Sequence, residues 1–502
     1  MAVEKNLKHK TLVGMVWNAV QRFGSVLLSF ISNLVLARLL LPEDFGCIGM
    51  LTIFIALSTA FIDGGFGAAL IQKKDVSQVD YSTVFYWNLF ISFVFFILLM
   101  VGAPLIAEFY HMPSLCDVLR GMSFVLILNA FSVIQTNILT KQLAFKQLAK
   151  INLLSTLVGV IVAIVLAYLG FGVWSLVAKA LVTALLTGVL LWIVNSWRPT
   201  FAFSWTSFKS LFSFGGLMLL STLMNTLFEN IQGLVIGRVY TATDMGYYSQ
   251  AKKLDELPSN SVSQIVNQVS FPVFSKISDD LHALKNAFRK NVLCTSFLLF
   301  PLQVLLIVLA EPIIIFLFSD KWIESVVYFR ILCFYSMFVA LNALNTNIFK
   351  SLGKSGVFFV VQFVKKALGI LLLIVALHYG GIIGVTWSVS ISGILWWFIS
   401  STVNKRVISY GLWGQFKDIL PSILISAFSG LMVYLVFNAL CMIPIYKIIS
   451  VSSTFVIVYL LTSKFFNKEP YSIFREIVIS GLERIKRKRE ARPEQADNST
   501  AI

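Results

Sequence analysis

An all-α, polytopic membrane fold is what this sequence predicts, with about fourteen transmembrane helices in two parallel-repeat lobes around a central cavity. Three observations carry that prediction: apolar runs of spanning length, basic residues that alternate in position along the chain, and self-similarity at an offset of 200 residues. With 58% hydrophobic and 13% charged residues and a mean hydropathy of +0.84, 502 residues hold too little polar surface to cover a soluble globule. A bilayer core needs about 20 apolar residues per helix. Runs such as Phe93 to Ile106, Gly159 to Leu169 and Ile370 to Leu377 are continuously apolar rather than alternating, so they read as helices and not barrel strands.

Taken in order, the apolar runs centre near Ser29, Phe54, Val94, Leu128, Val160, Leu185, Leu223, Val262, Leu299, Phe338, Leu371, Ile391, Leu431 and Val456. The first follows Lys5, Lys8 and Lys10 and has no small-residue cleavage site, so it reads as a retained span. The weakest surrounds Val262, because Lys252, Lys253, Asp255 and Glu256 lie in its first half. A helix that polar survives in a membrane only against protein or a water-filled cavity. Of the 40 basic residues, 28 sort to one side, from Lys5 to Arg492, and five to the other: Arg38, Arg120, Arg238, Lys321 and Lys447. Lysine and arginine in short loops mark the cytoplasmic side, which places both termini there and asks for an even number of spans.

Ile31 to Arg38 aligns with Ile231 to Arg238, followed by Asp44 and Gly46 against Asp244 and Gly246. Six spans separate the copies, so both point the same way, the arrangement that surrounds an alternating-access cavity. The chain then divides into an N-terminal lobe (1–205), a second lobe (206–415), two extra spans (416–468) and a basic amphipathic cytoplasmic tail (469–502) suited to anionic membrane lipid, with a disordered end at 496–502.

Seven basic residues remain inside spans: Arg22, Lys179, Lys252, Lys253, Arg330, Lys365 and Lys366, beside the acidic Asp63, Glu229, Asp255 and Glu256. Burying charge at membrane depth costs at least about 2.5 to 3.5 kcal/mol, so each asks for a reason. Arg22 can grip a phosphate bidentately at any pH, or form a structural ion pair with Asp63 or Glu229. Adjacent lysines point about 100° apart, so at most one of Lys252 and Lys253, and one of Lys365 and Lys366, faces squarely inward; snorkelling to an interface is the alternative. Asn225, Glu229 and Gln232 share a helix face, and Glu229 or Asp63 could carry a coupling proton or ligate sodium, or could simply glue helices together. Lys179 and Arg330, nearer span ends, rank below these. Arg22, Lys252, Lys253, Lys365, Lys366 and Asn225 are the substrate-binding candidates, and Glu229 and Asp63 the ion-coupling ones.

Several chemistries are excluded. The five cysteines are scattered, with neither CxxC pairs nor neighbouring histidines, so no disulfide framework, metal site or cofactor is expected. The +16 charge lies on no soluble basic face, which argues against nucleic acid. Asp63-Gly-Gly-Phe-Gly67 lacks the strand and lysine of a phosphate loop and reads as close helix packing or a hinge. No nucleophile motif or sizeable loop suggests an enzyme.

Gly14-Met-Val-Trp17, Leu36-Ala-Arg-Leu-Leu-Leu-Pro-Glu-Asp-Phe-Gly46, Asp63 to Gln72 and Asp80 to Phe85, with Trp197-Arg-Pro199, Phe271-Pro-Val273, Lys321-Trp322 and Asp418 to Ser422, resemble the polysaccharide transport family of bacterial flippases, in its colanic-acid-exporter-like branch. That resemblance implies the fold of the multidrug, oligosaccharidyl-lipid and polysaccharide exporter superfamily. It further implies ion-coupled carriage of polyprenyl-diphosphate-linked oligosaccharide across the inner membrane for lipopolysaccharide, exopolysaccharide or capsule synthesis. Polysaccharide polymerase machinery is then a candidate partner, and Arg22 would by position hold the diphosphate. The main rival is a MATE-like drug or cation antiporter, which would favour interior carboxylates over cations; a membrane glycan polymerase or ligase is a remote one.

Overall fold

In the computed structural model, residues 2–438, 443–476 and 479 are described. The expected tail is helical from 468 to 476, and the rest of it, including 496–502, lies outside the described residues apart from Ile479. The helices are α1 (Ala2–Leu39), α2 (Pro42–Asp63), α3 (Phe66–Gln72), α4 (Gln78–Phe109), α5 (Leu115–Lys141), α6 (Phe145–Tyr168), α7 (Trp174–Val194), α8 (Trp205–Val239) and α9 (Ala242–Lys276). They continue with α10 (Leu281–Val308), α11 (Ala310–Phe318), a 3-10 turn (Asp320–Trp322), α12 (Ser325–Ser351), α13 (Ser355–Tyr379), α14 (Gly381–Ile408), α15 (Leu412–Asn438) and α16 (Pro444–Phe466).

Among the described residues, twelve helices are long and apolar enough to cross a bilayer, α2 and α3 counting as one, and α8, bent by 57° between Ser213 and Met218, makes thirteen. Helix α9, 35 residues long, is too polar to count among them, in keeping with the polar run around Val262, so twelve to thirteen spans stand against the fourteen expected. Large apolar side chains point outward, as lipid solvation requires: Val101 is 74% exposed, and Leu105, Phe363 and Leu435 behave alike. Small polar residues turn inward, with Ser32, Asn88, Ser123 and Ser390 fully buried, because small side chains let membrane helices approach.

Packing divides the chain into two units, Met1–Gln250 with Leu317–Trp322, and Ala251–Phe316 with Ile323–Ile502. The repeat and these units are different divisions, since α8 packs against α2 in the first unit. There, α1 lies on α6, α6 on α7, and α5 on α4 and α7; in the second, α14 packs on α12 and α13, and α15 on α10 and α16.

A matching turn recurs at an offset of 210 residues, ten more than the repeat between Ile31 and Ile231. Leu143 and Gly353 both take left-handed backbone, at φ 58° and 66°. Their turns make the same three hydrogen bonds, Ala144 N to Leu139 O matching Lys354 N to Phe349 O. The backbone amides of Leu41 and Thr241 donate to the carboxylates of Asp44 and Asp244 at 2.9 and 3.2 Å, so each aspartate of the repeat starts the helix after the turn. The paired glycines explain themselves by a close crossing. A Cβ on Gly46 would sit 1.7 Å from the Ala242 carbonyl oxygen, and one on Gly246 would sit 1.9 Å from that of Pro42. Pro42 and Ala242 are themselves related by the 200-residue offset. The contact is therefore self-complementary, as across a two-fold axis.

A second close approach accounts for Asp63-Gly-Gly-Phe. Gly64 and Gly65 break α2 from α3 with φ of 56° and 72°, a conformation costly for residues with a Cβ. A Cβ on Gly65 would lie 2.2 Å from the Gly215 carbonyl oxygen, inside the bend of α8.

Candidate functional site

In the first unit, α1 presents Gly14 and Gly24 to Phe145 and Leu153 of α6, and the Lys146 ammonium lies 5.6 Å above the Trp17 ring. At 100° per residue, Arg22 is turned about 80° from Gly14 and about 160° from Gly24, away from that packed face. It is exposed and sits about 9 Å inside the apolar stretch that begins at Val16. Arg22 therefore lies on the side of α1 that does not pack on α6. Lys179 instead serves packing, donating to Ser32 Oγ at 2.7 Å.

Asp63 occupies the last turn of α2. Its carboxylate lies 3.1 Å from where Gly67 would carry a Cβ, and the Asn137 side chain comes within 3.3 Å of the same point, so the three converge. The Asn137 amide nitrogen is buried there without a hydrogen-bond partner. Asn225 and Glu229 are both exposed on α8, one turn apart.

The second unit holds the lysines. Lys252 is half-buried and pairs with Glu256 one turn along at 3.9 Å, whereas its neighbour Lys253 is exposed. In the other pair Lys365 is only 3% exposed and Lys366 partly buried. One lysine of this pair thus points into the protein, as the 100° rule demands, and Lys365 does not snorkel. Its ammonium lies 3.4 Å from Asn342 Oδ1, and its carbonyl accepts from Trp396 Nε1 at 2.9 Å. Arg330 is 40% exposed and faces Glu311 at 3.9 Å, an interfacial arrangement.

Two groups in this unit lie beyond the sequence candidates. Asp255 is 3% exposed and accepts from Ser336 Oγ at 2.6 Å. Asn345, Gln415, Asn404 and Trp397 form a buried network: Asn345 Nδ2 donates to Gln415 Oε1 at 3.1 Å, and Asn404 Nδ2 donates to Asn345 Oδ1 at 2.6 Å. The spacing Asn342, Asn345 within an apolar run was the available signal. At one end of the unit Arg289 makes two bonds each to Asp418 (2.8 and 2.9 Å) and Glu469 (2.7 and 2.8 Å), tying α10 to α15 and to the helix after α16. A groove of about 600 Å³ between α5 and α7, lined by Leu128, Phe131, Gly188 and Trp192, is almost wholly apolar and holds none of the candidates.

Lipid-solvated helices, an internal repeat whose copies lie six spans apart and interior charges define a polytopic transporter. The model described as "Polysaccharide biosynthesis protein" matches residues 35–327, and the chain belongs to that family. The chain is 26% identical over 431 residues to the teichuronic acid biosynthesis protein TuaB of Bacillus subtilis (strain 168), covering 86% of this chain and 89% of that one. It is 23% identical to the lipopolysaccharide biosynthesis protein WzxC of Escherichia coli (strain K12), covering 85% and 89%. It is 30% identical to the succinoglycan biosynthesis transport protein ExoT of Rhizobium meliloti (strain 1021), covering 61% and 62%. Its fold is similar to the lipid II flippase MurJ in an inward closed conformation, with a TM-score of 0.74 and 17% identity over 91% of this chain and 99% of that one. An inward-facing MATE family transporter of the MOP superfamily follows at 0.58, with 15% identity over 79% and 98%. The resemblance carried by Leu36 to Gly46 and Asp63 to Gln72 is thus borne out.

Proposed function

We propose that this chain is a flippase carrying polyprenyl-diphosphate-linked oligosaccharide across the bacterial inner membrane for surface polysaccharide synthesis, by ion-coupled alternating access and with both termini in the cytoplasm. The observation that carries the reading is Lys365: a lysine buried in an apolar span, with the neutral amide of Asn342 as its partner and no carboxylate beside it among the described residues. An interior cation with no acidic partner suits an anionic substrate, since burying it is offset when a phosphate arrives. The lipid II flippase and the polysaccharide proteins to which the chain is similar support the same substrate class. Arg22, Lys252, Lys253, Lys366 and Asn225 are the further substrate contacts on this reading, Arg22 being the diphosphate anchor. Glu229 and Asp63 are its coupling candidates for a proton or sodium.

The MATE-like antiporter shares the fold and is the second reading. Reconstituted protein should move tagged undecaprenyl-diphosphate oligosaccharide and lose that movement in Arg22→Ala. Extrusion of cationic dyes with no effect on the lipid-linked sugar would replace this reading by the antiporter.

A further inference from the structure

Asp255 is a buried group that this reading leaves without a task. Its Oδ2 accepts the short bond from Ser336 of α12, while Oδ1 is fully enclosed and has no hydrogen-bond partner. The Cys333 thiol, one turn before Ser336 on α12, also faces the carboxyl. On its own helix the neighbouring charge is Glu256, which is itself paired with Lys252, and Ser259 Oγ donates to the Asp255 carbonyl at 2.7 Å rather than to the side chain. Among the described residues no basic side chain acts on this carboxyl.

A carboxylate in that setting is an uncompensated charge at membrane depth, a state proteins avoid by neutralising the group. Two neutralisers are available. A hard metal cation asks for several oxygen ligands, and among the described residues the side chains facing the carboxyl supply one hydroxyl and a thiol. A proton asks for none, and the acid it makes fits a pocket whose Oδ1 has no donor.

We infer that Asp255, enclosed between α9 and α12 against Ser336 and Cys333, is the carboxyl that takes up and releases the proton whose downhill passage drives transport. The inference rests on the ion-coupled flippase proposed above and moves the coupling role from Glu229 and Asp63, both exposed, to a side chain sealed from solvent. In the closed site the carboxyl is the neutral acid. When water reaches it in another state the O–H bond breaks, the proton leaves to that water and the carboxylate is left solvated.

Dicyclohexylcarbodiimide, which modifies protonated carboxyls in apolar surroundings, is the probe. The full chain in phosphatidylethanolamine–phosphatidylglycerol vesicles should carry an adduct on the Asp255 peptide that grows as pH falls. Ser336→Ala removes the donor to the charged form, so labelling should persist to higher pH. Asp255→Asn should lose both the adduct and the uptake driven by an imposed pH gradient. Absence of an Asp255 adduct at every pH, or gradient-driven uptake undiminished in Asp255→Asn, overturns the inference. A wild-type protein that moves no lipid-linked sugar overturns the flippase instead, and the labelling still decides whether Asp255 holds a proton.

Discussion

The two units solve the same packing problem with different chemistry. In the first, helices are brought together by backbone against backbone, at Gly46 with Ala242 and Gly65 with Gly215, where no side chain intervenes. In the second, α12, α14 and α15 are joined through side-chain amides, Asn345, Asn404 and Gln415, and α10 is clasped to α15 by Arg289. Glycine contacts are unforgiving of volume but indifferent to hydrogen bonding; amide networks are the reverse. The first unit should therefore fail by steric insult and the second by loss of a polar partner.

The largest effect tests the glycines. Gly46→Leu and Gly246→Leu place atoms inside a carbonyl group and should each cost more than about 4 kcal/mol, enough to abolish a monodisperse gel-filtration peak. Gly102, with nothing within 4 Å of its would-be Cβ, is the control, and Gly102→Ala should behave as wild type. Next, Asn345→Leu leaves Gln415 and Asn404 buried with unmet groups, a loss of about 3 kcal/mol in detergent unfolding. A double variant with Gln415→Leu should recover part of it, and strict additivity would break the claim of one network. Arg289→Ala strands Asp418 and Glu469; because the arginine is about one-third exposed, solvent screening limits the loss to about 2 kcal/mol, read as a lowered melting temperature. Smallest is Trp322→Phe, which keeps the ring contact to Phe45 but deletes the 2.8 Å bond from Nε1 to the Ala37 carbonyl. It should cost about 1 kcal/mol and speed amide exchange at the end of α1.

Much of this was legible in the sequence because membranes impose simple rules. The membrane-spanning helical class followed from run length, with fourteen spans expected against the twelve to thirteen found, the polar α9 from its own lysines, and the repeat from Arg, Asp and Gly at one offset. What the glycines of the repeat contact was not legible, since a 200-residue separation carries no information about which two backbones meet. Nor was the choice between Lys365 and Lys366, because a 100° step says that they differ without saying which faces in. Asp255 looked like one more interior charge; the single bond from Ser336 that sets it apart is a tertiary fact. The groove beside Arg198 had no sequence signal at all, being made of ordinary apolar residues on two helices.

The crossing of Gly46 with Gly246 also bears on how the chain is made. Its two halves are 200 residues apart, so during synthesis Gly46 and helices α1 to α7 emerge long before Gly246 exists. Until Ala242 to Gly246 have emerged, the α1–α2 turn has nothing to lock against. Contacts of such long range are formed late and at high entropic cost. A nascent chain stopped short of Ala242 should expose that turn to protease, and extending it past Tyr248 should close it, so assembly of the first unit waits on the opening of the second repeat.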